Sequence, residues 1–274
     1  PSRNNTAPCI AYAAFKLAAK DPNANMVVAP SDHFILYEDI FIEKIKLALE
    51  TAAISPVLLT LGIAPTRPDT GYGYINFDKT GKNGIHKVNR FTEKPPLHKA
   101  QEFIASGDYV WNGGIFIWNV NTALQAFKTY VPEIYTLFEK GGSCYNTAEE
   151  QVFIDNNYPQ SPNISIDYAI MEKADNVYTI PADFGWSDLG TWGSLYEVAD
   201  KQEGSNVFSG NIRQENTENS IVHLPAGKLA VIRGLKDYIV VDDEDVLLIY
   251  PKQDEQEIKK ITEKLKSDNQ SHYL

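Results

Sequence analysis

Asp32 and Asp188 are the two carboxylates best placed to do chemistry. Asp32 lies in Ala29-Pro30-Ser31-Asp32-His33, directly after the apolar run Met26-Val27-Val28. Asp188 lies in Trp186-Ser187-Asp188-Leu189-Gly190-Thr191-Trp192, beyond a second such run at 177–180. Ligands of open α/β sheets collect at the carboxyl ends of strands, and Mg²⁺ is commonly held by one or two carboxylates together with substrate phosphates. Convergence on one hard cation is therefore one use of these aspartates. Capping the turn or helix that follows is the other, and the residues alone leave both open. His33 reads as a packing or orienting residue rather than a ligand.

Three further segments combine polar groups with chain breakers. In Glu93-Lys94-Pro95 the carboxylate can accept hydrogen bonds from hydroxyls and the ammonium can meet a phosphate. On those three residues alone, an exposed ion pair at a strand end is the stronger reading. In Trp111-Asn112-Gly113-Gly114 an amide that both donates and accepts precedes two glycines, which suits close approach of a polar ligand or, equally, a tight turn. Thr70-Gly71-Tyr72-Gly73-Tyr74 has the same character, with glycines for approach and aromatics for walls. No GxGxxG or GxxxxGK loop, GxSxG elbow or HExxH occurs, so the sequence holds no evident triphosphate cradle, serine nucleophile or zincin site.

Up to about residue 200, short apolar runs alternate with amphipathic segments, the signature of an α/β fold. Helices are expected at 7–20, 39–53, 97–106, 120–130, 132–139 and 166–174, and strands at 26–29, 57–63, 85–91, 114–118 and 177–180. A breaker-rich loop covers 65–74, and 76–84 reads as a hairpin turn. From residue 204 the pattern changes to short strands about nine residues apart, such as 221–224, 229–232 and 238–241, closed by a charged helix at 254–266. The expected domains are thus an α/β unit over 1–203 and a β-rich unit over 204–274, the latter a short β-helix, a roll or a meander.

Composition narrows the function classes. With 36 Asp and Glu against 25 Lys and Arg, the net charge of −11 repels a phosphate backbone, so nucleic acid is not an expected partner. Cys9 and Cys144 form no CxxC or Cys/His cluster, which disfavours a zinc site or disulfide framework and suits a reducing cytoplasmic setting. No apolar stretch approaches the roughly 20 residues a membrane span needs, and no signal peptide is evident.

Taken in order, the blocks resemble one family. Arg3-Asn4-Asn5-Thr6-Ala7-Pro8, Ala29 to His33, Thr66-Arg67-Pro68-Asp69-Thr70-Gly71-Tyr72-Gly73-Tyr74-Ile75, Phe91-Thr92-Glu93-Lys94-Pro95, Trp111 to Phe116 and Trp186 to Trp192 are similar to the successive blocks of the mannose-1-phosphate guanylyltransferases, nearly end to end. The resemblance implies an α/β nucleotide-diphospho-sugar transferase (Rossmann-like) domain with a small C-terminal β-helix-like domain. It implies GDP-mannose and pyrophosphate made from mannose 1-phosphate and GTP with Mg²⁺. Residue by residue, it places Asp32 and Asp188 on the metal, Glu93 on the sugar hydroxyls and Lys94 on the sugar phosphate. Gly73, Tyr74 and Asn112 would lie at the sugar, and Thr6, Ala7 and Pro8 near the guanine. A homodimer is compatible with it.

Two departures accompany the likeness. Ser31 stands where a smaller residue such as Ala is commoner, and the family's opening strand with its Gly-rich loop, Arg and Pro-Lys pair has no counterpart. The expectation is an N-terminally truncated member that does not turn over by itself. The rival readings are a pyrophosphorylase for another sugar 1-phosphate or nucleotide and a non-catalytic scaffold or regulatory subunit of the same fold. Retention of both aspartates argues against the scaffold.

Overall fold

The structure, a computed structural model, describes residues 2–273. By contacts the chain forms two compact units: one runs to Ser31 and from Ile35 to Trp186, the other takes Asp32–Phe34 and the chain from Ser187 onward. The segment between 187 and 203, placed by its sequence in the α/β domain, therefore groups with the β-rich unit.

The first unit is built on a six-stranded mixed sheet. Its strands are β1 (Asn25–Val28), β3 (Leu58–Ile63), β4 (Tyr74–Phe77), β5 (His86–Thr92), β6 (Tyr109–Asn119) and β7 (Val177–Ala182), in the order β1-β6-β3-β7-β5-β4, with β4 also pairing β6. Strands β3 and β7 run parallel, whereas β6 runs antiparallel to β1, β3 and β4. Every residue of β3 is buried, as its unbroken apolar run requires of a strand covered on both faces. Its alternate side chains separate the two cores, Leu58 with one cluster and Leu59, Leu61 and Ile63 with the other.

Helices cover both faces. Helix α1 (Thr6–Lys20) starts where the Asn5 side chain accepts the Thr6 amide, and it buries Ala7, Ile10, Ala11 and Ala14, one stripe at helical spacing. It packs with α4 (Val120–Tyr130) and α5 (Pro132–Glu139) in the core beneath Phe116 and Trp118. The opposite core takes Ala48 and Ala52 of α2 (Glu38–Ile54) and Ala100 of α3 (Leu97–Ser106).

Two local features depart from the expected elements. The strand expected at 114–118 is an eleven-residue strand with a bulge: Thr60 pairs Phe116 but Gly62 pairs Asn112, so β6 carries extra residues at Gly113-Gly114. Gly114 sits at φ +66, which only glycine adopts without strain, and a Cβ on Gly113 would stand 3.1 Å from Ile63. The helix expected at 166–174 is a single π-helical turn, Asp167–Met171, with Ala169, Ile170 and Met171 buried. Helix α6 (Glu150–Asn157) and the small ribbon β2 (Phe34–Ile35) with β8 (Trp186–Ser187) were not expected.

In the second unit, after helix α7 (Trp192–Val198), β9 (Val207–Ser209), β11 (Ile221–His223) and β13 (Tyr238–Asp243) stack in parallel register, Val207 on Ile221 on Ile239. Beside them β10 (Asn211–Glu215) runs parallel to β12 (Leu229–Arg233), Asn211 opposite Leu229. The nine-residue spacing seen in the sequence is thus a half-period: two strands form each turn, and 18 residues separate Ile221 from Ile239. Fully buried Asn206 ties one corner by donating to Thr217 O and Glu203 O and accepting from Ser220 N. β14 (Val246–Pro251) closes the stack antiparallel to β13, and the terminal helix α8 (Ile258–Ser267) begins only after a 3₁₀ segment at Lys252–Glu257.

Candidate active site

In the first unit, three segments that read separately in the sequence meet at one point. Glu93 and Lys94 follow directly from the end of β5 at Thr92, Asn112 stands in β6 one residue before the bulge, and Gly73 precedes β4. Glu93 Oε1 and Lys94 Nζ are 3.0 Å apart, and Lys94 is held at φ 45, in the left-handed region that a non-glycine residue enters at a cost. A Cβ on Gly73 would lie 2.5 Å from Glu93 Oε2 and 3.4 Å from Asn112 Cβ. Glycine at 73 is what admits the carboxylate beside the Asn112 strand.

A carboxylate that the sequence reading passed over completes the cluster. Asn112 Nδ2 donates to Asp167 Oδ1 at 2.6 Å, while Asn112 Oδ1 accepts from Gly114 N at 3.2 Å. Burial raises the Asp167 pKa and the Glu93 charge adds to the rise, with the Asn112 hydrogen bond and Lys94 opposing. Burial likewise raises Glu172, helped by Glu93 and Asp167. The Lys94 ammonium is raised chiefly by its hydrogen bond to Glu93. The result is a cluster in which Glu93, Asp167 and Glu172 act on one another as like charges while the Lys94 ammonium pairs with Glu93, a set that suits a ligand that donates hydroxyl hydrogen bonds at one end and carries an anion at the other. Asp167 was missed because a carboxylate opening the apolar segment Ile166 to Met171 reads as an ordinary helix start.

The loop before β4 is held from beneath. Buried Asp69 pairs with Arg67 at 2.7 Å and accepts the Gly71 amide at 2.7 Å, and Asn112 N donates to Gly73 O at 2.8 Å. Tyr74 is fully buried with its hydroxyl donating to Asp69 O at 2.9 Å. Expected at the sugar, the Tyr74 side chain is instead sealed in the core and holds the loop that carries Gly73. Of the residues expected near a base, Ala7 and Pro8 are buried and Thr6 is exposed. Thr6 Oγ1 accepts from Ile166 N at 2.9 Å and Ala7 N donates to Ile164 O at 3.1 Å, so the start of α1 braces the strand of chain leading into Asp167.

In the second unit, Asp32 and Asp188 both act on half-buried His33. Burial lowers the His33 pKa, and the charges of Asp188 and Asp32 oppose that shift. Asp188 Oδ1 accepts from Gly190 N at 3.0 Å, and a Cβ on Gly190 would fall 2.7 Å from Asp188 Oδ2, so this turn too is shaped to a carboxylate. Among the described residues no group of three or more His, Cys, Asp or Glu is arranged to hold a metal. A pair of hard carboxylate oxygens, completed by phosphates, is the donor set that Mg²⁺ accepts.

Known proteins place the chain. The profile of the family described as nucleotidyl transferase matches residues 1–205. The chain is 35% identical over 280 residues to mannose-1-phosphate guanylyltransferase of Escherichia coli (strain K12) and 36% identical over 281 residues to the protein of that name from Salmonella montevideo. All of the chain aligns, and it spans 58% and 59% of those relatives' lengths. The crystal structure described as mannose-1-phosphate geranyltransferase from Thermus thermophilus superposes with a TM-score of 0.82 at 29% identity, over 97% of this chain and 76% of that one. With the profile running through the whole α/β sheet and every segment that builds the Glu93 cluster, this chain belongs to the nucleotidyl transferase family.

Proposed function

We propose that the protein makes GDP-mannose and pyrophosphate from mannose 1-phosphate and GTP. The observation that carries this reading is the Glu93 carboxylate seated against Gly73, beside the Lys94 ammonium and the Asn112 amide. Such a set takes sugar hydroxyls and a sugar phosphate side by side, and the relatives named above supply mannose and guanosine as the specific pair. In this reading Lys94 holds the phosphate whose oxygen attacks the nucleotide α-phosphorus in line. Glu93 and Asn112 fix the sugar so that the attacking oxygen is aligned, and no side chain becomes a covalent nucleophile.

Asp32 and Asp188 would hold Mg²⁺, which offsets charge on the phosphates when bound. Of Thr6, Ala7 and Pro8, the residues the resemblance assigns to the guanine, only Thr6 has an exposed side chain, so Thr6 is the one that would face the base. The parallel stacking of β9, β11 and β13, with an 18-residue step from β11 to β13 and from β10 to β12, supports a short β-helix as the second domain. Two free cysteines favour the cytoplasm, and among the described residues no helix is long and apolar enough to cross a membrane.

Two measurements test the proposal. Calorimetric titration of the 274-residue chain with mannose 1-phosphate, glucose 1-phosphate and ethyl phosphate is expected to rank them in that order. Pyrophosphate release from GTP by the native protein is expected to depend on mannose 1-phosphate. Equal affinity for mannose 1-phosphate and ethyl phosphate, or release driven best by another sugar phosphate, would overturn it.

A further inference from the structure

We propose that Asp167 is a positioning residue of the sugar site, acting through Asn112 to decide which ligand hydroxyls are accepted; this rests on the sugar-phosphate reading above. Three independent features single it out. Its Oδ1 takes the Asn112 Nδ2 hydrogen at 2.6 Å, a charge-assisted bond between residues 55 apart in sequence. It opens the π-helical turn Asp167–Met171, an irregularity that is rare in helices and concentrates at functional sites. The turn is also anchored from both sides, by the buried side chains of Ala169, Ile170 and Met171 and by the Thr6 Oγ1 bond to Ile166 N.

The amide geometry gives the consequence. Gly114 N occupies Asn112 Oδ1 and Asp167 occupies one of the two Nδ2 hydrogens, so the amide cannot flip and a single N–H is left for a ligand. Across Gly73 stands Glu93, an acceptor. A hydroxyl both donates and accepts, so it can bridge the fixed donor and the fixed acceptor; an alkyl group or a carboxylate cannot. Without Asp167, only the Gly114 N bond holds the amide, and when Asn112 turns its oxygen toward the ligand the hydroxyl meets two acceptors. Asp167, Glu93 and Glu172 are also close enough to act on one another as like charges, which disfavours an acidic sugar beside them.

Titration calorimetry of the 274-residue chain and its variants with mannose 1-phosphate and with ethyl phosphate tests this. Asp167→Ala is expected to weaken mannose 1-phosphate about tenfold and to leave ethyl phosphate, which lacks the hydroxyls, unchanged. Asp167→Asn, which keeps an acceptor for Asn112, is expected to lose less. Because Asp167 acts through Asn112, Asp167→Ala combined with Asn112→Ala should bind no more weakly than Asn112→Ala alone. Additive losses in the double variant, an equal loss on ethyl phosphate, or unchanged mannose 1-phosphate binding in Asp167→Ala would overturn the proposal while leaving the sugar site standing. A native chain that does not distinguish the two ligands would remove the sugar site itself, and the role of Asp167 with it.

Discussion

Two glutamate–lysine pairs of this chain are made of the same atoms and put to opposite uses. Glu150 sits under Lys16 and Tyr12, accepts a hydrogen bond from each, and accepts a third from Asn146 N at 2.7 Å. Its carboxyl is driven down to about 2, chiefly by the bonds from Lys16 and Tyr12. Glu93 pairs with Lys94, its neighbour in sequence, whose backbone is strained, while Asp167 and Glu172 crowd it with like charge. A carboxylate that accepts three hydrogen bonds from the fold holds structure together, here α1 against α6. One set among like charges and seated against a glycine has hydrogen-bonding capacity still to be used by a ligand.

The strongest way to break this contrast is to crowd Glu93 from the Gly73 side. Gly73→Ala places a methyl 2.5 Å from Glu93 Oε2, and because the crowded atom ends a flexible side chain, the fold should tolerate it. Mannose 1-phosphate affinity should fall by about 100-fold, the scale of an ångström-sized misplacement, with the melting temperature little changed. A collapse in melting temperature would instead make Gly73 a folding glycine.

Glu150→Gln should do the reverse, lowering the melting temperature by several degrees and leaving ligand affinity alone. The pH dependence has a definite sign. A carboxyl lowered from 4.5 to about 2 contributes stability that is complete above its unfolded value and lost as pH falls from there toward 2. Thermal melts of the variant should therefore show a shallower acid limb than the native chain.

Within the site, the two neighbours should fail differently. Glu93→Gln should cost about tenfold on mannose 1-phosphate and nothing on ethyl phosphate, since a charged acceptor becomes a neutral one. Lys94→Met keeps the aliphatic stem and should weaken both ligands alike. An exposed ion pair without a ligand would show neither change. The smallest effect is expected from Asp188→Asn, which keeps the oxygen that accepts from Gly190 N and should leave the melting temperature within about a degree of the native value. A drop of several degrees would mark Asp188 as structural.

Much of the sheet was legible because its signals are local. The run at 58–63 is apolar without alternation, and the helix expected at 7–20 has its stripe of alanines, so neither needs a distant partner to be recognised. Glu93, Lys94, Asn112 and Gly73 could be nominated singly, as polar or glycine residues at strand ends, for the same reason. Their juxtaposition could not. Asn112 and Asp167 look unrelated until β6 and the π turn are brought together, and a carboxylate at an apparent helix start carries no sign of the amide it will hold.

By itself, then, the sequence determined the α/β pattern, the change of period near 204 and the residue types available at each turn, all of which depend on neighbours within a few positions. Tertiary structure alone decided that Tyr74 faces the core rather than a ligand, that Gly113-Gly114 is a bulge inside one strand, and that strands nine residues apart alternate between two stacks. Each is a matter of register. A strand has two faces, and which one meets the core, a partner strand or a pocket is set by pairings made across the whole chain.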